Sequence, residues 1–129
     1  MQSQFFDKIP LIIYTLNRLL ESCNYIIEWN QKISSSQDYP MSSAGMQTMA
    51  ASCMLIESIG EGIKAIDKHD SQFLEKNAPE IPWRNFVGIR NRIAHGYHEL
   101  DEDIIFDVVK NEIPSLKNSI LKLIQTLDH

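Results

Sequence analysis

The sequence predicts an all-α protein, an up-and-down bundle of four to five helices that forms a single domain over residues 1–129. Apolar residues recur at intervals of three and four along nearly the whole chain, as on the buried face of a helix. No segment alternates polar and apolar residues and no Asn-Gly turn occurs, so nothing indicates a strand. With 43% hydrophobic and 22% charged residues, 129 residues suffice to bury one core.

The first predicted helix carries a long apolar stripe, and its start depends on Pro10. Either Asp7 caps the helix and Pro10 lies in its first turn, or the helix begins earlier and kinks at Pro10. We favour the first alternative, because the first turn does not need the N–H that proline lacks. The stripe consists of Phe5, Ile9, Ile12, Leu16, Leu19, Cys23 and Ile26.

Residues 34–45 are rich in serine and contain Pro40 and Gly45, which predicts an exposed loop that could order on binding a partner. A second helix follows it directly. This helix is expected to end near His69, whose charge suits a helix C-terminus. Its apolar stripe is Met46, Met49, Cys53, Ile56, Ile59, Ile63 and Ile66.

Two glycines and two glutamates stand out inside the second helix. Gly60 and Gly62 each cost about 1 kcal/mol relative to alanine, which close approach by a neighbouring helix would offset. Glu57 and Glu61 are one turn apart and could be an acid/base pair. Because Lys64 follows Glu61 at three residues, we favour a solvated helix face instead.

The remaining helices are bounded by prolines and aspartates. Two prolines within residues 78–83 end any preceding helix, and a new helix is predicted over residues 83–95. Asp101 or Asp103 can cap the next helix, which Pro114 ends or kinks. The inward sides of the last two helical segments are expected to be Ile104, Ile105, Val108 and Val109, and then Leu116, Ile120, Leu123 and Leu127.

Charge and cysteine content restrict the class of protein. The net charge of −5 opposes phosphate binding over the whole surface, so an anionic ligand must meet a local patch. Cys23 and Cys53 both fall in apolar helical patterns, which predicts a cytoplasmic protein with two reduced thiols in its core. No apolar run reaches the roughly 20 residues that span a bilayer, so no membrane association is expected.

The local patch lies in residues 84–98, which hold three arginines, two histidines and a tyrosine but no Asp or Glu. In one helix, Asn91 and His95 share a face, whereas Arg90 lies about 140° away from His95. Both could face one small ligand if the helix ended or distorted before His95, and Gly96 supplies a helix stop. Alternatively, the same helix from two chains meets across a two-fold axis, and each chain supplies an Arg and a His.

These residues carry a family resemblance. The segment "RNRIAHGY" has an Arg, a polar neighbour and a His after four intervening positions, and it resembles the Arg-x4-His motif of the HEPN superfamily. The longer run "IPWRNFVGIRNRIAHGYHELD" and the segment "LIESIGEGIKAID" are similar to the HepT-like toxin branch. The resemblance extends over roughly residues 46–125.

The resemblance implies a metal-independent endoribonuclease toxin that works as a homodimer without a cofactor. Arg90 and His95 would be catalytic, and Asn91 would occupy the polar position beside the Arg. Tyr97 would be the tyrosine that a cognate nucleotidyltransferase antitoxin AMPylates. Without the resemblance, the preferred interpretation of Tyr97 is an amphipathic side chain packed at a helix end; with it, the two interpretations are about equal.

The residue types suit RNA cleavage, in which the 2′-hydroxyl is the nucleophile. His95 can act as base or acid and Arg90 can bind phosphate oxygens, which predicts a 2′,3′-cyclic phosphate product. Arg84 and Arg92 could hold flanking phosphates or pair with the chain's own carboxylates. His98 is expected to be a surface residue.

Two other interpretations remain open, and no metal site is expected. Arg90 and His95 could be structural, as an Arg bonded to helix ends and a His at a helix C-terminus. The chain could also be a non-catalytic helical partner of a nucleotidyltransferase. The four histidines show no metal-ligand spacing with Cys or carboxylates.

Overall fold

The computed structural model describes residues 2–96 and 101–128, and it describes the side chains of these residues except those of residues 2–7. The described part is helical and contains no strand, which confirms the predicted all-α bundle. The elements are α1 (Gln2–Trp29), a short 3-10 helix (Ser36–Asp38), α2 (Ser43–His69), α3 (Phe73–Asn77), α4 (Trp83–His95), α5 (Glu102–Asp107), a π-helical turn (Val108–Glu112) and α6 (Ile113–Leu127).

The long helices α1 and α2 form the centre of the bundle. Helix α1 packs against α2 and α6, and α2 packs against α4 on its other side. Both cysteines lie in the core as free thiols, as predicted, and burial raises the pKa of Cys23 to about 12 and that of Cys53 to about 11. No described helix is both long and apolar enough to cross a bilayer.

The start of the first helix differs from the alternative that we favoured. Helix α1 runs continuously from Gln2, so Asp7 does not cap it and Pro10 lies inside it. Pro10 is exposed. A proline in a helix removes one backbone hydrogen bond, and an exposed position lets water satisfy the carbonyl that is left without a donor.

The predicted exposed loop is only partly exposed, because it is anchored in the core. Tyr39 is fully buried and its hydroxyl donates to Oδ1 of Asn30 at 2.7 Å. The Asn30 side-chain amide donates in turn to the Ser52 hydroxyl at 2.8 Å, and Lys110 Nζ donates to the Asn30 carbonyl at 2.8 Å. The Asp38 carboxylate accepts from the backbone N–H groups of residues 34 and 35. This segment is thus held to the core by hydrogen bonds within its own chain.

We expect Tyr39→Phe to lower the free energy of unfolding by about 1–3 kcal/mol, because it leaves the buried Asn30 oxygen without its hydroxyl donor. Urea unfolding followed by circular dichroism measures the change. Tyr14→Phe is the matched control, since Tyr14 is 64% exposed and should change stability little. Equal stability of the two variants would contradict this role for Tyr39.

Pro114 does not end the last helical run. Asp101 caps α5, as one of the two predicted alternatives, by accepting from the backbone N–H of Asp103 at 2.8 Å. The π-helical turn then leads directly into α6, where Pro114 lies in the first turn. At this junction the Ile113 N–H donates to Val108 O, five residues back. The wider turn accommodates a proline that a regular helix would not.

Candidate active site

Helix α4 presents the Arg and His cluster, and its ends are those that the sequence predicts. Trp83 is buried at the first position and its indole N–H donates to the Ala78 carbonyl at 2.9 Å. Phe86 and Ile93 are the other buried side chains of this helix. Gly96 follows the last residue with φ 145°, a conformation that side-chain-bearing residues rarely adopt.

One side of α4 is accessible along its whole length. The four residues of this strip lie within about 60° of one another on an ideal helix. All are exposed, and a Cβ added to Gly88 would meet nothing within 4 Å. We call this surface the exposed strip of α4; it consists of Arg84, Gly88, Asn91 and His95.

Arg90 lies beside the exposed strip, on the side that faces α2. Its side chain packs on Gly60, where an added Cβ would be 2.4 Å from the Arg90 Cβ. One terminal nitrogen of its guanidinium pairs with the Glu61 carboxylate, and the other donates to Oδ1 of Asn91 at 3.1 Å. Its Nε is buried without a hydrogen-bond partner among the described residues. About a quarter of the side chain, 25%, remains accessible.

The geometry of α4 does not support the first route to a shared site, in which the helix ends or distorts before His95. The helix continues through His95 and ends only at Gly96. The five-residue separation therefore turns Arg90 and His95 about 140° apart around one helix. Asn91 and His95 lie on the same face, as predicted. A single chain thus does not aim Arg90 and His95 at one small group.

Arg84 and Arg92 lie beside a groove between α4 and α5, with a volume of about 510 Å³. Arg84 is engaged by carboxylates of its own chain, with Nη1 2.9 Å from Asp67 and Nε 3.2 Å from Glu75. The hydrogen bonds that Arg84 donates to Glu75 and Asp67 raise its pKa. Arg92 is exposed and makes no ion pair within the described part of the chain.

The far wall of this groove is acidic. Asp103, Asp107 and Glu112 line it opposite the two arginines. Burial, followed by the neighbouring Asp107, raises the pKa of Glu112. The groove therefore offers positive charge on its α4 side only.

The sequence did not indicate the role of Glu61. Glu61 is exposed, as expected for a solvated face, and in addition it pairs with Arg90. The close helix approach expected at the glycines is confirmed: Arg90 of α4 covers Gly60, and Leu19 of α1 covers Gly62. The adjacent Gly60 and Glu61 could have indicated a contact with another helix at this point of α2. Nothing in the sequence, however, shows that the contacting helix is α4.

Tyr97 and His98 lie outside the described residues. Their predicted roles, modification and surface exposure, stay predictions. Among the residues that are described, no three His, Cys, Asp or Glu side chains are grouped as a metal site requires.

Comparison with known proteins assigns the family. The family described as "Ribonuclease HepT-like" matches residues 25–123. The chain is 31% identical over 102 residues to "Putative RNase MJ1380" of Methanocaldococcus jannaschii, covering 79% of this chain and 86% of that protein. It is 35% identical over 77 residues to "Probable ribonuclease HepT" of Thermococcus cleftensis, covering 60% of this chain and 66% of that protein.

A longer relative contains the same region as one of its parts. The chain is 35% identical over 113 residues to "Gamma-glutamylcyclotransferase and putative RNase MJ0434" of Methanocaldococcus jannaschii, covering 88% of this chain but 47% of that protein. No solved structure matches the chain significantly. The match to the family covers most of the chain and includes α4 with its Arg-x4-His segment, and the chain therefore belongs to the HepT-like family of ribonucleases.

Proposed function

We propose that this chain is a metal-independent endoribonuclease toxin whose active site forms between two copies. Arg90 and His95 from both copies would line one cleft that holds the scissile phosphate. The observation that carries the proposal is the placement of His95 and Asn91 on the exposed strip of α4, with the guanidinium of Arg90 fixed beside it.

The chemistry follows from the nucleophile that RNA carries. One group must take the proton of the 2′-hydroxyl while the oxygen attacks phosphorus, and another must protonate the departing 5′-oxygen. Two histidines, one from each copy, supply a base and an acid, whereas one His95 supplies only one of them at a time. The two products are a 2′,3′-cyclic phosphate end and a 5′-hydroxyl end. Arg90 stabilises the extra negative charge on the phosphate oxygens during the attack.

The helix geometry supports the homodimer. Arg90 and His95 diverge on one α4, so a phosphate held by Arg90 needs a histidine from elsewhere. A second α4 related by a two-fold axis places its own His95 opposite the first helix. Gly88, at the middle of the exposed strip, lets another backbone approach without a side chain in the way. The site is incomplete without the second copy.

Control by a nucleotidyltransferase antitoxin is the second part of the proposal. Tyr97 follows His95 by two residues, and two residues of chain span at most about 7 Å. An AMP group attached to Tyr97 is therefore tethered close to His95. Its phosphate would repel RNA and compete for the arginines of the site. This modification would switch the nuclease off without unfolding it.

Of the two arginines proposed for flanking phosphates, Arg92 is better placed. Arg84 already pairs with Asp67 and Glu75, so a phosphate would have to displace a carboxylate.

The net charge of −5 favours the alternative function, a non-catalytic partner of a nucleotidyltransferase, because it opposes broad RNA affinity. The local positive charge of the cleft would overcome the unfavourable net charge only at the place where RNA is bound and cut.

The test is expression of the wild type and of His95→Ala without any partner, with growth and cellular RNA measured together. We expect growth arrest and RNA fragments ending in 2′,3′-cyclic phosphate for the wild type, and a rate lower by about 10²–10⁴ for His95→Ala. His69→Ala is the matched control, because this half-buried histidine ends α2 and should leave cleavage unchanged.

Two results would contradict the proposal. Fragments with 3′-hydroxyl ends would exclude attack by the 2′-hydroxyl. Equal behaviour of the wild type and His95→Ala, with both folded, would favour the non-catalytic binding protein.

A further inference from the structure

The Arg90 side chain is held by more contacts than phosphate binding requires. It lies across Gly60, it pairs with Glu61, and it donates to Asn91. Glu61 is half exposed, with 50% of its side chain accessible, and its carboxylate is next to the guanidinium that the proposed reaction needs. A negative charge at this point reduces the attraction of the site for RNA. Its presence therefore needs a reason other than affinity.

We infer that Glu61 is a positioning residue, which orients the guanidinium of Arg90 toward the scissile phosphate. The inference rests on the proposed function and adds a residue to that site. It concerns a side chain on α2, outside the Arg-x4-His segment.

The physical argument starts from the shape of the guanidinium. It is planar, with five N–H donors in a fixed arrangement, so two anchored bonds at different nitrogens define its plane. Glu61 and Asn91 bind the two terminal nitrogens. Each of these nitrogens keeps a second N–H for a phosphate oxygen. An unanchored Arg side chain would lose more rotamer freedom when it binds the phosphate.

The expected result separates binding from catalysis. In Glu61→Ala, we expect the cleavage rate at saturating RNA to fall by about tenfold to a hundredfold, because the guanidinium loses its fixed geometry. RNA affinity, measured in the non-cleaving His95→Ala background, should stay equal or become tighter at low salt, because a negative charge is removed. Glu61→Gln keeps an oxygen acceptor for Arg90 and should restore most of the rate.

A spectroscopic measurement tests the positioning without RNA. The buried Nε–H of Arg90 should give a nitrogen-15 NMR signal that exchanges slowly with solvent in the wild type and in Glu61→Gln. In Glu61→Ala we expect faster exchange. Glu57→Ala is the matched control, because Glu57 lies one turn earlier on α2 and makes no ion pair with a described residue. It should change neither the exchange nor the cleavage.

The outcomes separate this inference from the proposed function. If the wild type cleaves RNA and Glu61→Ala cleaves at the same rate with unchanged Nε–H exchange, Glu61 does not position Arg90. A faster Glu61→Ala would overturn the inference as well, since it would make Glu61 a block on the site. If the wild type cleaves no RNA, the proposed function fails, and the Nε–H exchange alone decides whether Glu61 holds Arg90.

Discussion

An Arg90→Ala chain paired with a His95→Ala chain should cleave RNA faster than a wild-type chain paired with an Arg90→Ala/His95→Ala chain, although each of these two dimers keeps one arginine and one histidine. Each single change removes one kind of catalytic group from both halves of the dimer. We expect a loss of about 10²–10³ for the arginine, a preorganised donor, and about 10²–10⁴ for the histidine. In a mixed dimer, one chain keeps its histidine and the other keeps its arginine. These two side chains come from different copies of α4, as the divergence of Arg90 and His95 around one helix requires.

The mixed dimer should remain well below the wild type. When subunits exchange freely, about half of the dimers contain one chain of each kind. Each of these dimers keeps one arginine and one histidine, and one histidine can act as base or acid but not as both at once. Single-turnover cleavage of a labelled RNA measures this directly.

A matched mixture controls for trivial effects of mixing. His95→Ala combined with the double variant Arg90→Ala/His95→Ala forms dimers of the same kind but contains no histidine at position 95, so it should stay inactive. The mixed dimers can be isolated with two different affinity tags. If the dimer of one wild-type chain and one Arg90→Ala/His95→Ala chain cleaves faster instead, Arg90 and His95 act within one chain, and the proposed composite site is wrong.

The sequence predicted the bounds of α4 well because its two ends are determined locally. Pro82 limits the residue before it, Trp83 buries a large side chain, and Gly96 takes a backbone conformation that favours glycine. The start of α1 and the burial of the Tyr39 segment depend on contacts with other parts of the chain, so local sequence patterns did not predict them. An exposed Pro10 within a long helix is tolerated only because the surrounding stripe packs on α2 and α6. Tyr39 is buried because Asn30, nine residues earlier, accepts its hydroxyl.

The candidate site was predicted in part for the same reason. Arg90, Asn91 and His95 are neighbours along one helix, so a short motif identifies them. Glu61 lies on a different helix and is polar and half exposed, which makes it indistinguishable in the sequence from a solvated residue. Only the packing of α4 on Gly60 brings its carboxylate to Arg90. The residues that a motif contains could be predicted, whereas the residue that holds one of them could not.

Gly60→Ala should therefore damage both stability and cleavage, although alanine is the better helix former. The new Cβ would be 2.4 Å from the Arg90 Cβ and 3.3 Å from the Phe86 carbonyl oxygen, so α4 or the Arg90 stem must move. We expect the free energy of unfolding to fall by about 1–3 kcal/mol, because the cost of the clash exceeds the stabilisation that the higher helix propensity of alanine provides. A displacement of about 1 Å at Arg90 should lower cleavage by about a hundredfold among the molecules that remain folded.

Two other glycines provide the controls. Gly88→Ala adds a Cβ in open space and should raise the stability of the monomer by up to about 1 kcal/mol; it is a control for stability only, because Gly88 lies in the proposed dimer contact. At Gly62 the nearest atom is the end of the Leu19 side chain, 2.6 Å away, which can rotate aside, so Gly62→Ala should cost less than Gly60→Ala. Urea unfolding and cleavage below the unfolding transition measure both effects. If Gly60→Ala and Gly62→Ala were equally stable and equally active, the contact between Gly60 and Arg90 would have no part in placing the guanidinium.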